Sequence, residues 1–301
     1  MARADMEHPG SVAGDWYVDT RCIDCDVARQ YAPELIATAP DGNSIIVRQP
    51  ATPAEELVMW RATLACPTQS IGTHERRRPP PDVFPWELAD GVFLCGYNDE
   101  SSFGAHAYFV RRPEGNLLVD APRWTRRLVE PFEAMGGLAH VLLSHRDDVA
   151  DAQRYAEHFG ARVWIHEADR SAAPFATDVV TGADPVDIRP GLVLVPVPGH
   201  TRGSVCYSLE DRFLFSGDSL AWHRRRDELV VFGSTTWYSW EALTESMARL
   251  ARTVRFEWVL PGHGIWHHAP ADLMGDALTN LANEMSRYDA RSWDRRPRSR
   301  Q

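Results

Sequence analysis

The sequence contains no lysine, so all 32 of its basic side chains are arginines, a matter of genome composition rather than mechanism. It also lacks any apolar run approaching the ~20 residues that cross a bilayer, so no membrane-spanning helix is expected. Positive charge is in deficit. A formal net charge of −10 argues against a general nucleic-acid binder, although the final stretch RSWDRRPRSRQ is basic and is expected to be a disordered tail over residues 291–301. The opening MARADMEHPGSVAGDW has neither the basic nor the apolar region of a secretory signal, so the expected compartment is the cytoplasm. Cysteines are few and odd in number, five in all, which speaks against a disulfide framework.

What remains is an ordinary soluble composition, 44% apolar and 25% charged, in a chain of 301 residues with room for two domains. Residues Trp16 to Gly72 read as a small α/β unit. WYVDT has the look of a strand, DVARQYAPELIA of a short helical segment and SIIVRQP of a second strand. PAEELVMWRATLA is a helix with apolar positions at Ala54, Leu57, Val58, Trp60 and Leu64, stopped by Cys66-Pro67.

Two of the cysteines, Cys22 and Cys25, stand as CxxC, which suggests metal or redox chemistry. The segment CIDCDVARQYAP has the spacing C-x2-C-x2-A-x3-A-P, the bacterial ferredoxin cluster run with Ala28 and Ala32 at its third and fourth cysteine positions. ACPTQSIG resembles the ferredoxin ending in which a Cys-Pro supplies another ligand, here Cys66. The resemblance covers nearly all of residues 15–72 and implies a ferredoxin-like fold over residues 1–73. It leaves two readings of the cofactor. Cys22, Cys25 and Cys66 hold an iron-sulfur cluster, either of three irons or of four completed by Asp24 or Asp26; or the domain is vestigial and serves packing or partner contact.

HERRRPPPDVFPWE is charged and proline-rich and is expected to be an extended connector over residues 74–90. From Gly91 strands and helices alternate: GVFLCGY, AHAYFVRR and PEGNLLVDAPR with a hairpin signal at EGN, the helix TRRLVEPFEAMGG, the buried strand HVLLSH, the helix DDVADAQRYAEHFG and the strand ARVWIHE. In the second helix Val149, Ala152, Ala156 and Phe159 share one face. This implies an α/β layered domain over residues 91–290, with its active site at strand ends. There the histidines and aspartates collect: His145 closes HVLLSH, His200 follows GLVLVPVPG, Asp218 follows FLFSG and His263 follows FEWVLPG. One histidine beside a glycine turn is ordinary, whereas four such residues in the same structural position are not explained by turn chemistry.

NLLVDAPR, PGHTRGS, FSGDSL and LPGHG, in that order, resemble the corresponding loops of the metallo-β-lactamase fold superfamily over roughly residues 91–268. The resemblance implies a four-layer αββα sandwich and one or two divalent metal ions, held by the strand-end histidines and Asp218. It makes Asp120 a residue that orients the ligands from behind.

The superfamily's HxHxDH signature is altered here to HRDDVADA, residues 145–152. Without a gap, His145 keeps the first histidine and Asp147 replaces the second; a shift of two residues restores an aspartate at Asp151. Both registers lose the last histidine. Asp147 and Asp151 stand at i, i+4 and could share a helix face. Asp148 either caps the helix or contributes a ligand.

The expected metal set is therefore His145, His200, His263 and Asp218 with one or more of Asp147, Asp148 and Asp151. Nitrogen and hard oxygen donors suit zinc, iron or manganese. A non-ligating Asp147 or Asp151 would accept the proton of an attacking water. Trp222, His223, Trp237 and Tyr238, downstream of Asp218, would line a small-molecule pocket, with interlayer packing an equal reading for the tryptophans; His106 and His166 receive no role. The leading expectation is a hydrolase of an ester, thioester or related bond. The alternatives are an iron-dependent oxidoreductase coupled to the ferredoxin-like domain and a redox partner, or a non-catalytic binding protein with decayed metal sites.

Overall fold

A computed structural model describes residues 2–296 of the chain. These fall into two compact units, Met1–Val141 with Ala150–Ala161, and Leu142–Val149 with Arg162–Gln301.

The first unit begins with the expected small α+β module. Strand Trp16–Val18 pairs antiparallel with Ile71–Thr73, and Ile36–Thr38 with Ser44–Ile46. Helix Pro53–Ala65 starts where Thr52 accepts a hydrogen bond from the Glu55 amide and proline fills the first turn, the two strongest local start signals. Trp60 of this helix meets Trp16 edge to face at 4.8 Å. The Arg123 guanidinium donates to the carbonyls of Leu64, Cys66 and Pro67 at 3.0, 3.3 and 3.2 Å, and the His106 ring lies 2.6 Å from the Gln30 amide oxygen. These bonds join the module to residues beyond position 73 within the same unit.

The same unit carries the strands Trp86–Ala89, Val92–Leu94, Tyr108–Val110 and Leu117–Val119, adjacent in that order with antiparallel registers. The segment 74–90 is not an extended connector throughout, because Trp86 to Ala89 pair with Val92 to Leu94. Helix Arg126–Ala134 follows its Thr125 cap, and helix Ala152–Phe159 ends at Gly160 in the left-handed conformation.

The second unit is built on six strands in the order Val186–Arg189, Leu192–Pro196, Val205–Leu209, Phe213–Gly217, Trp258–Pro261 and His267–His268. All neighbours are antiparallel except Phe213–Gly217 beside Trp258–Pro261. A parallel pair needs a crossover, and helix Trp240–Thr253 lies within it. Leu243, Met247 and Leu250 of that helix join Met274, Leu278, Leu281 and Met285 of helix Ala271–Met285 in one buried cluster with Leu214 and Val259 of the sheet. Each such side chain withdrawn from water contributes about 1.5–3 kcal/mol, so this layer anchors the strands that carry the site.

The segment expected to be a disordered tail is structured in its described part. Helix Ala290–Trp293 is closed by a reciprocal cap between Asp289 and Ser292, Trp293 is fully buried, and Arg296 pairs with Glu228 and Glu284. A tryptophan in the core outweighs the local arginine bias. Residues 297–301 of that expected tail lie outside the described residues.

Candidate metal centre

Because Phe213–Gly217 and Trp258–Pro261 run parallel, their carboxyl ends leave the sheet at the same edge, and Asp218 and His263 leave with them. His200 follows Leu192–Pro196 in a neighbouring loop. The Leu143–His145 segment is placed by three bonds: the Leu143 amide to the Trp164 carbonyl, the Tyr207 hydroxyl to the Leu143 carbonyl, and the Val205 amide to the Ser144 carbonyl. Gly217 has φ +49°, and a β-carbon there would fall 2.5 Å from the Ser144 hydroxyl, so only glycine lets the Asp218 strand pass the His145 segment.

These loops bring four donor atoms to nearly equal spacing. His145 Nε2 lies 3.7 Å from Asp147 Oδ2 and 3.7 Å from Asp218 Oδ2, and His200 Nε2 lies 3.6 Å from each of the same two oxygens. Ligands about 2.0–2.2 Å from one tetrahedral ion stand about 3.3–3.6 Å apart, which is close to this spacing. A second group gathers around the same aspartate: His263 Nε2 is 3.8 Å from Asp218 Oδ2, and Asp148 joins His145 and Asp218 within a sphere able to hold an ion. Asp148 Oδ2 stands 4.0 Å from His145 Nδ1.

The donor set fits a cation on independent grounds. His145 Nε2, His200 Nε2, Asp147 Oδ2 and Asp218 Oδ1 are buried and have no hydrogen-bond partner, an expensive arrangement unless a cation satisfies them together. The ring of His200 donates from Nδ1 to the Thr235 carbonyl at 2.6 Å, which fixes the tautomer that leaves Nε2 as a lone pair facing the group.

The charges respond as expected of an anionic nest. Burial pushes the His145 imidazole below its ordinary value. Burial also opposes charge on His200, but the carboxylates of Asp147 and Asp218 and the Thr235 carbonyl outweigh it and hold that imidazole above its usual range. Burial opposes ionisation of Asp218, yet His263, His145 and His200 keep it below the usual carboxylate range, and Asp147 is held down against burial by His200 and His145.

Asp151 is not part of this group. Helix Ala152–Phe159 begins only after it, so Asp147 and Asp151 never share a helical face, and the Asp151 carboxylate accepts the Trp124 amide at 2.5 Å. Val149 is half-buried and outside the helix, whose inward residues are Ala152, Tyr155 and Ala156. Asp120 ends strand Leu117–Val119 in the first unit, buried and with φ +53°. Of the expected pocket residues, Trp237 lies tilted by 38° against the His200 ring at 4.7 Å with 63% of its surface exposed, and Tyr238 is 51% exposed with its amide on the His200 carbonyl. Trp222 is stacked flat on His267 at 3.7 Å, and His223 Nδ1 accepts the Arg226 amide, so both are engaged in local structure. A cavity of about 450 Å³ is lined by His166, Glu167, Ala168, Gly182, Ala183 and Arg202, the last two residues beyond His200. Sequence reasoning passed over Arg202 and Asp169; position next to a ligand loop was the available signal for the first, and nothing local marked the second.

The three N-terminal cysteines do not fit a cluster held by four thiolates. Cys22, Cys25 and Cys66 are free, Ala28 occupies the third position, and burial first, then the neighbouring Cys66 and Cys22, push the Cys25 thiol up to about 12. Asp24 and Asp26, the acids expected to complete it, are both turned to Arg29 at 2.7 Å. No electron-transfer step follows from this segment.

Imidazoles and carboxylates converging at the strand ends of a layered sheet define an α/β protein with a potential metal centre. The chain belongs to the metallo-beta-lactamase superfamily, whose family model matches residues 80–273, while the model of the 4Fe-4S single cluster domain of Ferredoxin I matches residues 18–73. It is 33% identical over 119 residues to a hydroxyacylglutathione hydrolase of Acidiphilium cryptum, covering 38% of this chain and 49% of that protein. It is 32% identical over 191 residues to an uncharacterized protein of Mycobacterium leprae, covering 49% of this chain and 84% of that one. The chain spans about half the length of the hydroxyacylglutathione hydrolases of Acidiphilium cryptum and Brucella ovis that it matches. Among solved structures the DIM-1 metallo-beta-lactamase superposes with a TM-score of 0.50 at 16% identity, over 66% of this chain and 95% of that one, a likeness of fold. The protein is therefore of the α/β metallo-beta-lactamase fold with a ferredoxin-like N-terminal module.

Proposed function

We propose that this protein is a metal-dependent hydrolase of a small-molecule thioester. The observation that carries the reading is that His145 Nε2, His200 Nε2 and Asp147 Oδ2 are buried and unpartnered, with Asp218 Oδ2 at 3.7 and 3.6 Å from the two imidazole nitrogens and Asp218 Oδ1 likewise buried and unpartnered. The second group, Asp148, Asp218 and His263, would hold another, with Asp218 shared. Zinc, iron or manganese would suit these donors and, when bound, would supply an acidified water and a Lewis acid for the thioester carbonyl.

The chain's own residues then divide the work. The Thr235 carbonyl holds His200 in its ligating tautomer. Asp147, whose side chain is 33% exposed, would ligate through Oδ2, and its other oxygen, outside the cage, would accept a proton from water. Trp237 offers an exposed aromatic wall beside His200 for the acyl portion. Arg202, in the wall of the neighbouring cavity, offers a guanidinium to a substrate carboxylate. The thioester class is supported by the likeness to hydroxyacylglutathione hydrolases, and cleavage of another ester remains an outcome of the test.

The test is elemental analysis of chelator-free protein followed by hydrolysis of a hydroxyacyl thioester of glutathione. One or two equivalents of metal, with turnover lost in Asp218→Ala, supports the reading. Metal without thioester turnover, but with ester turnover, moves the substrate class; absence of bound metal after reconstitution with zinc, iron and manganese rejects it.

A further inference from the structure

We propose that Asp169 is a positioning residue of the metal centre, clamping together the two loops that carry His145, Asp147 and His200. This inference rests on the metal-centre reading above and adds a residue that no family motif in the sequence marks. Asp169 lies in the short 3-10 helix Glu167–Ala172, outside every ligand loop, and is 2% exposed.

Its Oδ2 accepts two bonds. One comes from the backbone amide of Arg146 at 3.1 Å, between His145 and Asp147; the other comes from the Thr201 hydroxyl at 2.5 Å, immediately after His200. The hydrogens balance around this contact. Thr201 spends its one hydroxyl proton on Asp169, so the Ser204 hydroxyl, 2.8 Å away, donates to Thr201 Oγ1 while accepting the Thr201 amide at 3.0 Å. The carboxylate is thus the terminal acceptor of a chain that rigidifies the His200 loop from inside. Close packing supports the same role: a β-carbon on Gly203 would fall 2.6 Å from Asp169 Cγ, so the loop is pressed against this side chain.

A single oxygen holding one residue beside each ligand-bearing loop sets their separation, and hence the Asp147 to His200 distance of 3.6 Å. Partners that orient metal ligands through one hydrogen bond typically change metal affinity about 10–100-fold when removed. The expected effect of Asp169→Ala is in that range, with Thr201→Val, which keeps the shape and removes the donor, giving a smaller loss of the same kind. Because both act through one contact, the double variant should lose little more than Asp169→Ala alone.

The experiment uses the full chain and zinc as the probe, competed against a chromophoric chelator, with the melting temperature of each metal-free protein and the visible spectrum of its cobalt form. The proposal expects weaker zinc binding and an altered cobalt spectrum in Asp169→Ala and Thr201→Val, at a metal-free melting temperature close to wild type for Thr201→Val. Should Asp169→Ala not fold, Thr201→Val still decides. Equal zinc affinity and spectra in wild type and Thr201→Val overturn the proposal alone, whereas absence of zinc binding by wild type overturns the metal-centre reading and this inference with it.

Discussion

His200 Nε2 and Asp218 Oδ2 face one another at 3.6 Å, beyond hydrogen-bond reach yet with both side chains almost withdrawn from water. Two groups held at that distance without bonding are spaced as co-ligands. Zinc in excess should therefore raise the melting temperature of the chelator-treated protein, by an amount equivalent to about 2.7 kcal/mol at a hundred times the dissociation constant. His200→Ala should abolish the response. Thermal melts with and without zinc check this, and an equal shift in wild type and variant would remove His200 from the ligand set.

Gly262 tests whether the two carboxylates converge as described. A β-carbon at this position would stand 2.7 Å from Asp148 Oδ2 and 2.7 Å from Asp218 Oδ1. Gly262→Ala must push at least one of them aside, so metal affinity should fall at least tenfold while the far-ultraviolet circular dichroism stays native. Wild-type metal content and affinity in this variant would show that Asp148 and Asp218 do not meet at a common site.

Asp147 and Asp151 separate ligation from structure. The Asp151 carboxylate is taken by the Trp124 amide, a hydrogen bond to a charged group of the kind that contributes about 1.5–3 kcal/mol. Asp151→Ala should destabilise the protein by about that amount and leave metal stoichiometry unchanged. Asp147→Ala should do the reverse. Metal titration and chemical denaturation of the two variants check both halves, and loss of metal in Asp151→Ala would restore the sequence-based expectation.

His263 lies beside Asp218 and Asp151 does not, for a physical reason. His200, Asp218 and His263 follow apolar runs that end in glycine-bearing turns, and strand topology alone delivers such positions to one edge of the sheet. The HRDDVADA stretch instead depends on where its helix begins. Helical spacing assumed a start near Asp147, but residues 147–151 are irregular, and that is why Asp148, rather than Asp151, meets Asp218. Asp169 was not legible at all, because its partners are a backbone amide and a hydroxyl contributed by segments distant in the chain. Trp293 shows the same limit from the other side: its arginine-rich setting suggests a tail, and only the surrounding core explains its burial.

Asp19 gives the ferredoxin-like module a measurable pH dependence. Its carboxylate is fully buried and accepts from the Arg3 and Arg21 amides at 2.8 and 3.1 Å and from the Arg21 guanidinium at 3.0 and 2.6 Å. Burial opposes its charge, but the Arg21 side chain and these amides outweigh burial and hold it below the usual carboxylate value. A carboxylate depressed on folding contributes stability that is complete above its unfolded value of about 3.9 and is lost as the pH falls through that value toward the folded one. Asp19→Asn should therefore be less stable than wild type at pH 7, by about 1.5–3 kcal/mol for the loss of charge-assisted bonds, and the gap should narrow progressively as the pH falls below the unfolded value of about 3.9. Urea unfolding of both proteins at pH 7, 4 and 2.5 checks it. A gap that stays constant across that range would mean that the ionised carboxylate does not hold the strand Trp16–Val18 to Arg21, and that packing alone fixes this end of the module.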